Sequence, residues 1–201
     1  MSKLRPFRTW ALITVTVLCI CAVGYAATPT ALYWPLKVGN SWTYLFTDFS
    51  GATPVTHGQA VKVTGTISQS GATWFVAKTT QGTTNVSTFY YRHDAVGLLT
   101  CFKLVPTPYY MIKRPLTNGT TWVMMTSAGG SIHRTITNCN ATTTVPAGTF
   151  THCLLITQTY DYNKNLKVLY WYAPNKGEVR CESWDTGKLV DKWVLVAATI
   201  K

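Results

Sequence analysis

Apolar and polar residues alternate with a period of two along much of the chain. Trp42, Tyr44 and Phe46 interleave with Ser41, Thr43 and Thr47, and Val61, Val63 and Ile67 with Lys62, Thr64 and Thr66. His152, Leu154, Ile156 and Gln158 interleave with Cys153, Leu155, Thr157 and Thr159. Val168, Tyr170 and Tyr172 do so with Lys167, Leu169 and Trp171, and Val190, Val194 and Val196 with Trp193 and Leu195. A period of two sends alternate side chains to opposite faces of a strand. The Val, Thr, Tyr and Trp that fill these runs suit a pleated, half-buried surface. Turn residues punctuate them: Gly39-Asn40, Ser70-Gly71, Gln81-Gly82, Gly129-Gly130, Pro146-Ala147-Gly148, Asn163-Lys164-Asn165, Pro174-Asn175-Lys176-Gly177 and Asp185-Thr186-Gly187. Connections this short join antiparallel neighbours, because a parallel crossover needs about a dozen residues or more. The pattern predicts an all-β fold: an antiparallel meander forming a strongly curved sheet, a half-barrel or a barrel, with a sandwich also open. At most a helical turn fits near residues 107–113, where Pro106 and Pro108 oppose it.

Two strands carry bulky residues on both sides, at Phe89-Tyr90-Tyr91 and Tyr170-Trp171-Tyr172. Strong curvature or a second layer would cover both faces; alternatively, these are surface strand residues. A further regularity is an internal echo. Pro35-Leu36-Lys37-Val38-Gly39-Asn40-Ser41-Trp42 matches Pro115-Leu116-Thr117-Asn118-Gly119-Thr120-Thr121-Trp122 as Pro-Leu-x-x-Gly-x-Ser/Thr-Trp. The Gly permits a positive φ in the turn, and the Trp opens an inward-facing strand. This is either a duplication or one turn-and-anchor device used twice. Two similar halves would run over residues 30–110 and 111–201.

The first residues follow a different pattern. Lys3, Arg5 and Arg8 precede an uncharged apolar run from Trp10 to Val23, and Gly24-Tyr25-Ala26 supplies small residues for cleavage. This is the form of a secretory signal, with cleavage expected after Ala26 and a single β-rich domain over 27–201. Neither Cys19 nor Cys21 has the small residue before it that a lipid-modified cysteine requires. No later apolar run is long enough to span a membrane. An exported protein, periplasmic or extracellular, is expected. Of the 201 residues, 12% are charged and 13% aromatic, which excludes disorder and coiled coil. Without the three basic residues of the signal, the formal charge of +11 becomes +8.

Three islands carry a resemblance. Tyr33-Trp34-Pro35-Leu36-Lys37-Val38-Gly39-Asn40-Ser41-Trp42-Thr43-Tyr44, then Val145-Pro146-Ala147-Gly148-Thr149-Phe150 with Cys153-Leu154, and Tyr170-Trp171-Tyr172-Ala173-Pro174-Asn175-Lys176-Gly177-Glu178-Val179 resemble a group of uncharacterised bacterial exported proteins. In the last island Asn175-Lys176 stands where the group's turn usually has a further Gly. The architecture this implies is similar to the periplasmic lipoprotein carriers, whose curved half-barrel surrounds acyl chains. The resemblance implies no activity.

Chemical signals are sparse. His57, His93, His133 and His152 form no close ligand pair, so no metal site and no cofactor are predicted. There is no G-x-S-x-G elbow, and the seven acids show no catalytic pairing, so no catalytic residue is assigned. Basic residues are scattered, with Lys113-Arg114 the one adjacent pair beyond the signal, which excludes a nucleic-acid face and leaves an anionic envelope surface as a partner. Four cysteines remain after the signal, and an even count in an exported chain reads as disulfides. Three connectivities are open, and Cys139–Cys153 with Cys101–Cys181 is the one expected. The expected function is non-enzymatic binding of a lipid or other amphipathic ligand. The aromatic candidates to line its site are Trp42, Tyr44, Trp74, Tyr90, Trp122, Tyr170 and Tyr172, which serve equally well as core. The alternatives are a structural or interaction protein of the envelope, or a hydrolase whose site converges only in three dimensions.

Overall fold

The computed structural model describes residues 29–102, 108–127 and 129–201. The expected signal, residues 1–26 with Cys19 and Cys21, lies outside them. The described chain opens on a 3-10 turn, Thr30–Leu32, and continues as twelve strands. These are β1 (Ser41–Asp48), β2 (Val55–Gln69), β3 (Ala72–Gln81), β4 (Thr84–His93), β5 (Gly97–Cys101) and β6 (Tyr109–Lys113). Then come β7 (Thr121–Ser127), β8 (Gly130–Val145), β9 (Gly148–Tyr160), β10 (Lys167–Ala173), β11 (Gly177–Asp185) and β12 (Lys188–Thr199). All neighbouring pairs are antiparallel, in the order β6 to β1 and then β12 to β7. The all-β meander is therefore a nearly closed barrel. The helical turn considered at 107–113 is replaced over Tyr109–Lys113 by β6, because Tyr109 and Met111 reach the barrel interior and Tyr110 packs in a separate cluster with Trp74 and Leu99.

Closure has two different joints. β1 and β12 pair as a backbone ladder from Ser41↔Thr199 to Asp48↔Asp191, broken by one bulge at Val196. At the other joint no ladder joins β6 to β7 among the described residues, and side chains of β7 and β8 reach across to β6. Trp122 Nε1 donates to the Tyr110 carbonyl at 2.9 Å, and Arg134 Nη1 donates to the Met111 carbonyl at 2.8 Å. Extra residues at Val196 on β12, Thr64 on β2, Thr137 on β8 and Val179 on β11 supply bulges. Bulges bend strands and increase twist, which a sheet needs in order to close. On the exposed surface, Thr side chains pair across strands, as in Thr121–Thr135 at 2.9 Å and Thr137–Thr157 at 3.1 Å.

The two copies of the Pro-Leu-x-x-Gly motif make the same turn. Asn40 N–H donates to the Lys37 carbonyl and Thr120 N–H to that of Thr117. Gly39 (φ +92°) and Gly119 (φ +85°) each donate to the second strand that follows, at the carbonyls of Val63 on β2 and Ile136 on β8, whose own N–H groups return to Asn40 and Thr120. Both turns deliver a buried Trp as the second residue of a strand, β1 and β7.

One end of the barrel is filled. Asn175 N–H donates to the Leu32 carbonyl at 2.5 Å, and His93 contacts Thr30 Oγ1 (3.0 Å) and the Trp34 carbonyl (2.9 Å). Trp34 stacks on Trp42 with ring centroids 5.3 Å apart and meets Tyr91 and Tyr172 at 5.5 and 6.0 Å. Gly177 (φ +92°) permits this packing, since a Cβ there would stand 3.2 Å from Trp42 Nε1 and 3.4 Å from Trp34. The tip of the β8–β9 hairpin completes the end, with Ala147 N–H donating to the Leu195 carbonyl at 3.0 Å.

Neither expected disulfide is formed among the described residues, where Cys139, Cys153 and Cys181 are free thiols. Cys153 faces Ala141, and irregularities on either side of Ala141 put Cys139 out of register with it. Cys101 on β5 and Cys181 on β11 lie six strands apart in the sheet order. Burial raises the Cys153 thiol pKa to about 11.

Candidate functional site

Above the filled end the barrel encloses a cavity of about 560 Å³. Inward positions of successive strands form its wall: Tyr44 and Phe46 from β1, His57, Gln59 and Val61 from β2, Thr79 from β3, Ser87, Phe89 and Tyr91 from β4. Thr100 follows from β5, Tyr109 and Met111 from β6, and Met124 and Met125 from β7. Arg134, Gln158, Tyr170, Glu178 and Trp193 come from β8 to β12. Trp34 also contributes, and the exposed Phe102 and Met125 bring the cavity to the surface.

Most of this wall is aromatic, aliphatic or thioether surface. The charged groups are concentrated on β8 and β11. Arg134 is 3% exposed. Its Nε donates to Gln158 Oε1 at 2.8 Å, and its guanidinium lies 4.4 Å from the Tyr170 ring centroid. Burial works against its charge, but Tyr170, Tyr172 and Glu178 outweigh that and raise its pKa. Gln158 is fixed from its other end, where Nε2 donates to the Tyr160 hydroxyl. Glu178 is 6% exposed and accepts from Trp193 Nε1. Burial lifts its pKa to about 7, while the Trp193 hydrogen bond and the Arg134 charge restrain the rise. Tyr44 donates to the Glu178 carbonyl at 2.9 Å, and burial holds its hydroxyl well above the ordinary range. Among the described residues, no group of three His, Cys, Asp or Glu converges in a way that could hold a metal ion.

The predicted lining residues divide into three sets. Tyr44 and Tyr170 stand on the cavity wall. Trp42, Trp122 and Tyr172 are buried core beside it, with Trp42 Nε1 donating to the Lys176 carbonyl. Trp74 and Tyr90 are not part of the wall: they pack with Leu99 and Cys101 in a separate cluster, where Arg92 lies 4.9 Å from the Trp74 ring. Tyr90 is set apart by its neighbours, since Phe89 and Tyr91 both face the cavity. Arg134, Glu178, Trp34 and the methionines were not anticipated as lining residues. A signal existed for Arg134, which shares a period-two column with Ile132 and Ile136.

No protein-family model matches the chain, and no curated protein matches its sequence. Among solved structures, the barrel is similar to a protein of Bacteroides fragilis NCTC 9343 that has a YmcC-like fold and is taken to be exported. The two are 13% identical with a TM-score of 0.50, over 81% of this chain and 96% of that one. A protein of Parabacteroides distasonis ATCC 8503 taken to be a lipoprotein is 17% identical, with a TM-score of 0.44 over 84% of this chain and 98% of that one. The first likeness shows a shared fold at this level of identity.

Proposed function

We propose that this protein is an exported, non-enzymatic β-barrel that holds an apolar or amphipathic ligand in its cavity. The observation that carries the reading is the cavity itself, about 560 Å³ of largely apolar wall inside the barrel. Small-ligand sites of this kind are typically ~300–1,000 Å³, apolar, and marked by a few placed polar groups. Export is supported by the form of residues 1–26 and by the exported character attributed to the similarly folded B. fragilis protein. The non-enzymatic reading is supported by the engagement of the polar groups: Gln158 and the Met111 carbonyl hold Arg134, and Trp193 holds Glu178.

Native mass spectrometry tests the reading. After mild purification, or after incubation with single-chain lipids, the protein is expected to carry one lipid mass. Saturated chains of increasing length should bind about fourfold tighter per methylene, from ~0.8 kcal/mol each, until the cavity is full. An unchanged mass under both conditions would sink the proposal.

A further inference from the structure

We infer that the ligand has a single apolar chain and an anionic, oxygen-bearing head, and that Arg134 is the group that holds that head. The inference rests on the ligand-binding reading above and specifies its chemistry. A buried charge is costly unless paired or fully hydrogen-bonded. Among the described residues the ion pairs join Asp161 to His133 and Lys164, and Arg180 to Glu182; Arg134 makes no such close pair, and the one carboxyl that acts on its charge from the same wall is Glu178, which burial holds toward its neutral form. Two of its five N–H groups are taken, by Gln158 and by the Met111 carbonyl. Those two bonds and the Tyr170 ring fix the plane of the guanidinium, which forms part of the cavity wall. A fixed guanidinium fork matches the two oxygens of a carboxylate or phosphate. The same cavity is lined by Phe89, Phe102, Met111 and Met124, whose side chains offer a hydrocarbon chain contact and no charge. Methionine adapts to irregular apolar shapes.

Arg134 also bridges β8 to β6, so the bond to Met111 alone would give it a structural role. The two roles separate by measuring head-group preference. Displacement of a fluorescent probe would rank dodecanoate, dodecyl phosphate, methyl dodecanoate and dodecyltrimethylammonium on the wild-type protein. Dodecanoate or dodecyl phosphate should bind about tenfold or more tighter than the ester, and the cation should bind weakest. Whichever anion binds tighter assigns the head as carboxylate or phosphate. In Arg134→Gln the advantage of the anions over the ester should vanish while ester affinity holds. The wild-type ranking stands even if Arg134→Gln fails to fold. Equal affinity for all four compounds would overturn the head-group inference and leave the apolar-ligand reading intact. Binding of none of them would overturn both.

Discussion

The two halves of the barrel, β1–β6 and β7–β12, open on the same turn and present different walls. Each starts with a Pro-Leu-x-x-Gly turn, the same set of backbone hydrogen bonds and a buried Trp. Beyond that the inner surfaces diverge. The first half contributes Phe46, Val61, Phe89, Tyr109 and Met111, with hydroxyl, amide and imidazole groups as its polar members. The second half contributes the buried charges, Arg134 and Glu178. The framing device and the inner lining are therefore independent. The turn and its Trp are needed to start a curved strand pair, whereas the inward column of each strand is free to be apolar or charged.

The largest expected effect tests the shared device. Trp42→Ala and Trp122→Ala should each cost about 3–5 kcal/mol in denaturant unfolding, the usual cost of emptying a buried Trp site. Trp42 should show the larger loss, because it is 1% exposed and stacks on Trp34. A loss below about 1 kcal/mol at Trp122 would break the equivalence of the two turns.

A smaller effect tests the charged wall. The Glu178 pKa is raised from 4.5 to about 7 in the folded protein. A raised carboxylate pKa contributes stability that is complete below the unfolded value and is lost as pH rises through the folded one. The melting temperature of wild type relative to Glu178→Gln should therefore fall between about pH 4.5 and pH 8. Parallel profiles for the two proteins would show that the carboxyl is not buried as described.

The smallest effect lies on the outer surface, where both halves carry threonines. Thr137→Val together with Thr157→Val replaces one exposed hydroxyl pair on β8 and β9. Unfolding free energy should change by no more than ~0.5 kcal/mol, since surface changes away from special features are nearly neutral. A larger loss would mean that the outer face contributes to stability as the lining does.

The strand pattern was legible because burial on one face enforces a period of two, and the Gly and Asn turns have local causes. The Pro-Leu-x-x-Gly motif was legible for the same reason: it is a local backbone event. Which face of a doubly bulky strand points inward was not. Phe89-Tyr90-Tyr91 reads the same from either side, and only the β3 and β5 registers send Tyr90 to the Trp74 cluster and its neighbours to the cavity. The disulfide pairing failed on register as well. Bulges around Ala141 are invisible in the residue types, yet they decide what faces Cys153. Arg134 was hidden because scattered arginines are normally solvated, and its burial depends on Gln158, Tyr170 and Met111 arriving from three other strands.

The two joints of the barrel have a consequence for how it assembles. Where β6 meets β7 the chain is continuous over a short stretch, and side chains make the seam. Where β1 meets β12 a backbone ladder spans the joint, but its partners lie at opposite ends of the domain. The entropy of closing a loop grows with its length, and contacts between distant residues slow folding. Hairpins within each half can form from local sequence, while the β1–β12 ladder must await almost the entire chain. Closing the cylinder therefore depends on its first and last strands meeting, and without that ladder the cavity has no complete wall.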